Sequence, residues 1–190
     1  ESGENYTFDG TTITPTLDFA GNLLIPVFVD DGEDQSNTFE LTVTVINVND
    51  APVIVEQAET LSTLEETPLT ITLNDLDITD VDNDPSELEL TIESGENYTV
   101  DGTTITPILD FAGNLLIPVF VDDGEDQSNT FELTVSVINV NDAPVWTSVP
   151  LDLITQDSEY IYILTAEDPD AEATLTFSTV ILPAWLSFDS

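Results

Sequence analysis

Apolar and polar residues alternate with a period of two along much of this chain. In Leu69-Thr70-Ile71-Thr72-Leu73, Leu88-Glu89-Leu90-Thr91-Ile92 and Phe131-Glu132-Leu133-Thr134-Val135-Ser136-Val137 the large side chains fall on one face and Thr, Glu or Ser on the other. That pattern predicts half-buried β-strands. Leu115-Leu116-Ile117-Pro118-Val119-Phe120-Val121 predicts a further strand, and Pro118, which cannot donate to a ladder, places it at a sheet edge or a bulge. Asp101-Gly102, between Tyr98-Thr99-Val100 and Thr103-Thr104-Ile105, predicts a two-residue hairpin turn, because primed turns need positive φ. A short first strand is expected near Val53 to Val55, and no segment has a helical apolar period.

The pattern repeats. Residues 1–53 recur as residues 93–145, an offset of 92, with only Phe8/Val100, Thr16/Ile108 and Thr44/Ser136 differing. Near-identity inside one chain implies recent duplication within an array. The segment Asn47-Val48-Asn49-Asp50-Ala51-Pro52-Val53 returns as Asn139-Val140-Asn141-Asp142-Ala143-Pro144-Val145. Asn-Asp favours turns and Pro cannot continue a ladder, so each copy reads as a junction between domains. The expected organisation is the C-terminal half of one repeat over residues 1–50, a complete repeat over 51–142, and the N-terminal half of a further domain over 143–190. About seven short strands in the complete repeat suit an immunoglobulin-like β-sandwich. A half of roughly 50 residues leaves its inner face wet and is not expected to be stable alone. Glu1 does not read as an initiator, so the chain is expected to be an interior window of a longer polypeptide.

Charge changes the picture. The chain carries 39 Asp and Glu and no Lys, Arg or His, a formal net charge of −39. Two carboxylates about 4 Å apart repel by roughly 4 kcal/mol at an effective dielectric of 20, and no cationic side chain is present to offset that cost. Wherever the fold gathers several carboxylates, protons or bound cations must do so, and at neutral pH cations are the expected solution. Nucleic acid and anionic membrane surfaces are excluded as partners, because both need Lys or Arg. There is no Cys for a disulfide framework, and no apolar run reaches the length of a membrane-spanning helix.

The Asn-Val-Asn-Asp-Ala-Pro junctions, Leu64-Glu65-Glu66-Thr67, Asp80-Val81-Asp82, and the Val-Asp-Asp-Gly stretches at Val29–Gly32 and Val121–Gly124 together resemble bacterial cadherin-like tandem repeats of giant surface adhesins. Ala166-Glu167-Asp168-Pro169-Asp170 followed by Pro183-Ala184-Trp185-Leu186-Ser187-Phe188-Asp189 is similar to dystroglycan-type cadherin-like domains. In such domains the Trp is a core residue, so a sugar-binding role for Trp185 is not the preferred reading.

The resemblance implies an all-β fold of tandem immunoglobulin-like, cadherin-like sandwiches with calcium between domains. Calcium takes six to eight hard oxygen ligands. For the first junction the implied ligands are Asn47, Asn49 and Asp50 from the linker, with Glu66, Asp80, Asp82 and Asp122 or Asp123 from the complete repeat. For the second they are Asn139, Asn141 and Asp142, with Asp168 and Asp170 as the Asp-x-Asp pair and Asp157 as a weaker counterpart of Glu66. Asp30 and Asp31 would serve a junction whose linker precedes Glu1. The Leu-Asp-Arg-Glu motif of animal cadherins has no counterpart here, and the linker begins with Asn47 rather than Asp. One to three ions per junction are expected.

The competing view is that these aspartates are solvated turn formers and that the acidity serves solubility or salt tolerance. It is the better account of scattered strand residues such as Glu87, Glu89 and Glu132. The run Asp75, Asp77, Asp80, Asp82 and Asp84 is intermediate: it could cradle an ion on its own, although only Asp80 and Asp82 match the family's pair. Asn5-Tyr6-Thr7 and Asn97-Tyr98-Thr99 are glycosylation sequons by pattern, and unmodified strand starts are the preferred reading.

Paired carboxylates serve glycosidases, but the chain has no His, Cys or Lys, and its acidic clusters fall at junctions, so no enzyme is expected. A carbohydrate-binding module is the alternative, disfavoured because Tyr98, Phe111, Phe120 and Phe131 fall at core positions. The expectation is a calcium-stiffened spacer or adhesion repeat at a cell surface or in the extracellular space. Its partners would be neighbouring repeats of the same polypeptide, with surface or matrix glycans or proteins reached through other domains and filament self-association as a further option.

Overall fold

A computed structural model describes residues 2–170, 173–184 and 186–188. Trp185 and Asp189 lie outside the described residues. The chain divides into two compact units: Glu1–Glu56 with Asp77–Leu90 and Phe120–Asn129, and Gln57–Leu76 with Thr91–Val119 and Thr130–Ser190.

The architecture is all β. In chain order the strands are β1 (Ser2–Gly3), β2 (Tyr6–Asp9), β3 (Thr12–Pro15), β4 (Gly21–Val27), β5 (Phe39–Val45), β6 (Val53–Gln57), β7 (Leu61–Leu64) and β8 (Leu69–Thr70). They continue with β9 (Leu76–Thr79), β10 (Glu89–Ile92), β11 (Tyr98–Asp101), β12 (Thr104–Pro107), β13 (Gly113–Asp122), β14 (Phe131–Ile138), β15 (Val145–Trp146) and β16 (Ala166–Glu167). The expected strand over 69–73 stops after Thr70. There the Asp75 carboxylate accepts from the Thr72 N–H at 2.7 Å and from the Thr72 hydroxyl at 3.0 Å, which closes a single 3-10 turn over Leu73–Asp75. β9, which follows it, was not anticipated.

In the first unit β1, β2 and β3 form one antiparallel sheet and β4 and β5 another, while β6 pairs with β9. Tyr6, Leu23 and Ile25 are buried there, with Ile13, Phe19 and Val45 packed against them. In the second unit β13 runs antiparallel to β14, and β7 adds to the other edge of β14 in parallel, Leu61 opposite Val135 and Leu64 opposite Ile138. β11 and β12 form the expected hairpin, but Asp101 pairs with Thr104. The two-residue loop is therefore Gly102-Thr103, with Gly102 at φ 61°, one residue beyond the expected position; positive φ at the first central residue alone is the type II′ choice.

Pro118 is not at an edge. β13 lies between β10 and β14 in the order β10-β13-β14-β7. The Pro118 carbonyl accepts from the Glu93 N–H at 2.9 Å, one residue past the end of β10 at Ile92. A residue's N and O point to the same side of a strand, so the N–H that proline lacks would face the end of β10, where the Glu93 carbonyl accepts the Tyr98 hydroxyl at 2.9 Å instead.

The duplicated halves share sequence and register, and Leu23 and Ile25 of β4 are buried like Leu115 and Ile117 of β13, but β5 and β14 differ in burial. Leu23 pairs with Val43 and Ile25 with Leu41 in the first copy, as Leu115 pairs with Val135 and Ile117 with Leu133 in the second. Leu41 and Val43 are 41 % and 37 % exposed, whereas Leu133 and Val135 are 0 % exposed. β5 is half of a two-stranded sheet; β14 has β7 along its other edge.

Tyr98 is buried and donates its hydroxyl to the Glu93 carbonyl at 2.9 Å. Burial, reinforced by the Glu93 charge, raises its pKa. Tyr98→Phe is expected to cost about 1 kcal/mol of unfolding free energy, measured by urea denaturation, with no change in the strand content seen by circular dichroism.

Candidate functional site: the two acidic junctions

The first junction lies in the first unit. Asn47 Nδ2 donates to Asp82 Oδ1 at 3.0 Å, and the Asp50 N–H donates to Asp82 Oδ2 at 2.8 Å. Asp80 Oδ1 accepts from the Asp82 and Asn83 N–H groups at 2.7 and 2.8 Å, while Asp80 Oδ2 is buried with no hydrogen-bond partner. Asn49 Nδ2 reaches Asp123 Oδ2 at 2.9 Å and Asp126 Oδ2 at 3.2 Å. Asp123 also accepts the Glu125 and Asp126 N–H groups at 2.7 Å each. Those bonds, led by the Asp126 N–H and then the Asn49 amide, hold its carboxyl below the usual carboxylate pKa. Asp122 instead closes its own turn by accepting from the Gly124 N–H at 2.8 Å. Asp30 and Asp31 reproduce the Asp122/Asp123 turn, taking the Gly32, Glu33 and Asp34 N–H groups.

The second junction lies in the second unit. Asn139 Nδ2 donates to Asp170 Oδ1 at 2.6 Å and the Asp142 N–H donates to Asp170 Oδ2 at 2.8 Å. Asp168 Oδ1 accepts from the Asp170 N–H at 2.9 Å. The Asn139 amide and then the Asp142 N–H lower the Asp170 pKa. Asn141 Nδ2 donates to the carbonyl of Asp142, within the linker.

Glu66 belongs to this second junction, not to the first. β7 runs parallel to β14, so the chain leaving Leu64 arrives beside the end of β14 at Ile138, where the linker starts. The Glu65 N–H donates to the Ile138 carbonyl at 3.2 Å, and the Val140 N–H donates to Glu65 Oε1 at 2.5 Å. Glu65, only 5 % exposed, keeps its Oε2 buried and unpartnered. Glu65, Glu66 and Asp110 bring one carboxylate oxygen each to within 4.8 Å of one another, and Glu66 Oε1 accepts the Asp110 N–H at 3.2 Å. Partial burial first, then the charges of Asp110, Asp170, Glu65 and Glu66, raises the Asp142 pKa. Asp157 sits in the same kind of left-handed turn as Glu66, at φ 64° against 54°.

Glu65, Asp110 and Asp126 were not anticipated. Glu65 stands beside a residue that was singled out, but choosing between the two requires knowing which faces the linker. Asp110 sits in Leu109-Asp110-Phe111-Ala112-Gly113, a copy of Leu17–Gly21, which carries no ligand spacing of its own.

Residues 48–138 match the family model of the cadherin-like domain. No curated protein matches the chain. Among solved structures the chain is similar to protocadherin gammaB7 EC3-6 in a cis-dimer structure, at 17 % identity and TM-score 0.49, covering 88 % of this chain and 46 % of that one. It is similar to human mucin-like protocadherin EC1-2 at 16 % identity and TM-score 0.43, covering 72 % of this chain and 79 % of that one. An endo-fucoidan hydrolase of glycoside hydrolase family 107 is similar at 21 % identity and TM-score 0.38, with 78 % of this chain covering 25 % of that one. The chain thus spans a quarter of the hydrolase and less than half of the gammaB7 chain. Among the described residues no helix is long and apolar enough to cross a membrane. Residues 48–138, all β in their strand order, are the part of this chain that matches the cadherin-like domain.

Proposed function

We propose that this chain is a non-enzymatic extracellular adhesion or spacer repeat whose junctions are stiffened by calcium, with a complete repeat over residues 51–142 between parts of its neighbours. The observation that carries the reading is the pair of buried, unpartnered carboxylate oxygens, Asp80 Oδ2 and Glu65 Oε2, one at each junction. A buried carboxylate oxygen without a donor is costly, and this chain has no cationic side chain to supply one. Hard carboxylate and amide oxygens are what a calcium ion accepts.

The residues fit the ion. At the first junction Asn47, Asn49, Asp50, Asp80, Asp82, Asp123 and Asp126 would hold it, with Asp122 closing the turn that carries Asp123. At the second, Glu65, Glu66, Asp110, Asn139, Asn141, Asp142, Asp168 and Asp170 would do so. Bound calcium would supply the positive charge that the gathered carboxylates lack. Ligands drawn from the linker and from the strands on either side would tie these segments together, making a tandem array stiff with calcium and loose without it. Residues 143–190 are read as the start of a dystroglycan-type domain, and the whole as part of a large surface adhesin whose repeats extend or multiply weak contacts.

Calcium titration calorimetry on the chain tests the reading, with X-ray scattering in calcium and in chelator as its mechanical arm. Saturable binding and a wider spread of chain dimensions in chelator are expected; identical scattering profiles would defeat the stiffening claim. Glu65→Gln is expected to weaken calcium binding by at least roughly 10-fold, read from the same titration, with strand content unchanged.

A further inference from the structure

The two linkers carry the same two-point grip. At each, the first asparagine and the acidic residue three positions later hold opposite oxygens of one carboxylate: Asn47 Nδ2 and the Asp50 N–H on Asp82, and Asn139 Nδ2 and the Asp142 N–H on Asp170. Although the linkers are near-identical copies, the loops they grip are not. Asp80-Val81-Asp82 and Asp168-Pro169-Asp170 differ in sequence and follow their linkers at different distances. The grip therefore recurs in two independent settings. In a chain without Lys, Arg or His, the asparagine amides are the side-chain donors that the linkers Asn47–Pro52 and Asn139–Pro144 bring to an aspartate. Its hydrogen bond to a charged acceptor is of the stronger kind.

We propose that Asn47 and Asn139 are cation-free clasps: with no divalent ion present, each amide holds the second aspartate of its Asp-x-Asp pair, so that the linker backbone stays fastened to the neighbouring loop. The carboxylates of Asp82 and Asp170 then receive two donors each before any ion arrives. An aspartate in place of either asparagine would remove one donor and set two negative charges against each other. The same change would offer an incoming cation one more charged ligand. These asparagines thus trade cation affinity for order in the cation-free junction.

Amide hydrogen exchange on the full chain in EDTA tests the clasp without depending on calcium, so its failure is distinguishable from failure of the calcium reading. The Asp50 and Asp142 amides are expected to exchange roughly tenfold or more slowly in the parent chain than in Asn47→Asp/Asn139→Asp. Saturating CaCl2 is expected to restore protection to the variant. The reciprocal exchange Asn47→Asp/Asp82→Asn, which keeps one donor and one acceptor across the pair, is expected to recover protection at Asp50 in EDTA. Protection at Leu133 and Val135 reports the fold, and should the double aspartate variant lose it, the reciprocal pair decides alone. Equal exchange at Asp50 and Asp142 in parent and variant, or no recovery in the reciprocal pair, would overturn the proposal.

Discussion

Leu133→Ala is expected to lower the unfolding free energy by about 2–5 kcal/mol, whereas Leu41→Ala, the same change at the duplicated position, is expected to cost less than about 1 kcal/mol. Leu133 is 0 % exposed on a strand with partners along both edges. Its truncation loses apolar burial and leaves a cavity that the surrounding side chains fill only in part. Leu41 has 41 % of its surface in water, so the truncated side chain gives up less burial and opens no closed cavity. Urea unfolding followed by circular dichroism checks both variants. Equal losses would mean that the two copies are packed alike.

Chelation is expected to lower the melting temperature by roughly 10–20 °C. An ion present at about 100 times its dissociation constant adds about 2.7 kcal/mol per site, and 1 kcal/mol moves the midpoint of a domain this size by about 4–8 °C. Differential scanning calorimetry in CaCl2 and in EDTA reads the shift, with MgCl2 as the control for general screening of the charge. A melting temperature unchanged by EDTA would remove calcium from the account.

Asp142 should respond in the opposite direction. Its pKa is raised in the folded chain by burial and by Asp110, Asp170, Glu65 and Glu66. A raised carboxyl pKa means that the folded state disfavours the charge. The penalty is therefore present above the folded pKa and disappears as the pH falls below the unfolded value. Asp142→Asn in EDTA at neutral pH is expected to melt higher than the parent chain and to bind calcium more weakly. A parallel fall in both quantities would contradict the assignment. Asp123 and Asp170, whose pKa values are lowered, behave as ordinary paired carboxylates. Their contribution is present above the unfolded pKa and is lost as the pH falls through the folded one.

Most strands were legible because alternation is a local property. Leu115–Val121 and Phe131–Val137 read as strands from side-chain spacing alone, and both are strands. The place of Pro118 in the sheet was not legible, because it depends on where β10 ends. The turn at Gly102 was displaced by one residue, since register is set by the whole β11–β12 ladder rather than by the Asp-Gly step. At the junctions, Asn47, Asn49, Asp50, Asp82 and Asp123 were named from the sequence and meet within one unit, as do Asn139, Asp142, Asp168 and Asp170. Glu66 was given to the wrong end of the repeat, and Glu65 and Asp110 were overlooked. The positions of Glu65 and Glu66 depend on the parallel crossing of β7 onto β14, between residues more than 70 apart in sequence, and Asp110 comes to them from the β12–β13 connection.

Periodicity, repetition and charge are carried by neighbouring residues, so the chain's order of side chains was enough to predict the strands, the repeated linker segments and the excess of negative charge. Which copy of a repeated strand is buried, and which carboxylate stands at which end of the repeat, follows from pairing between distant segments. Leu133 is buried because β7 lies along the second edge of β14, whereas among the described residues β5 pairs only with β4, so burial belongs to the packed sheet rather than to the residue.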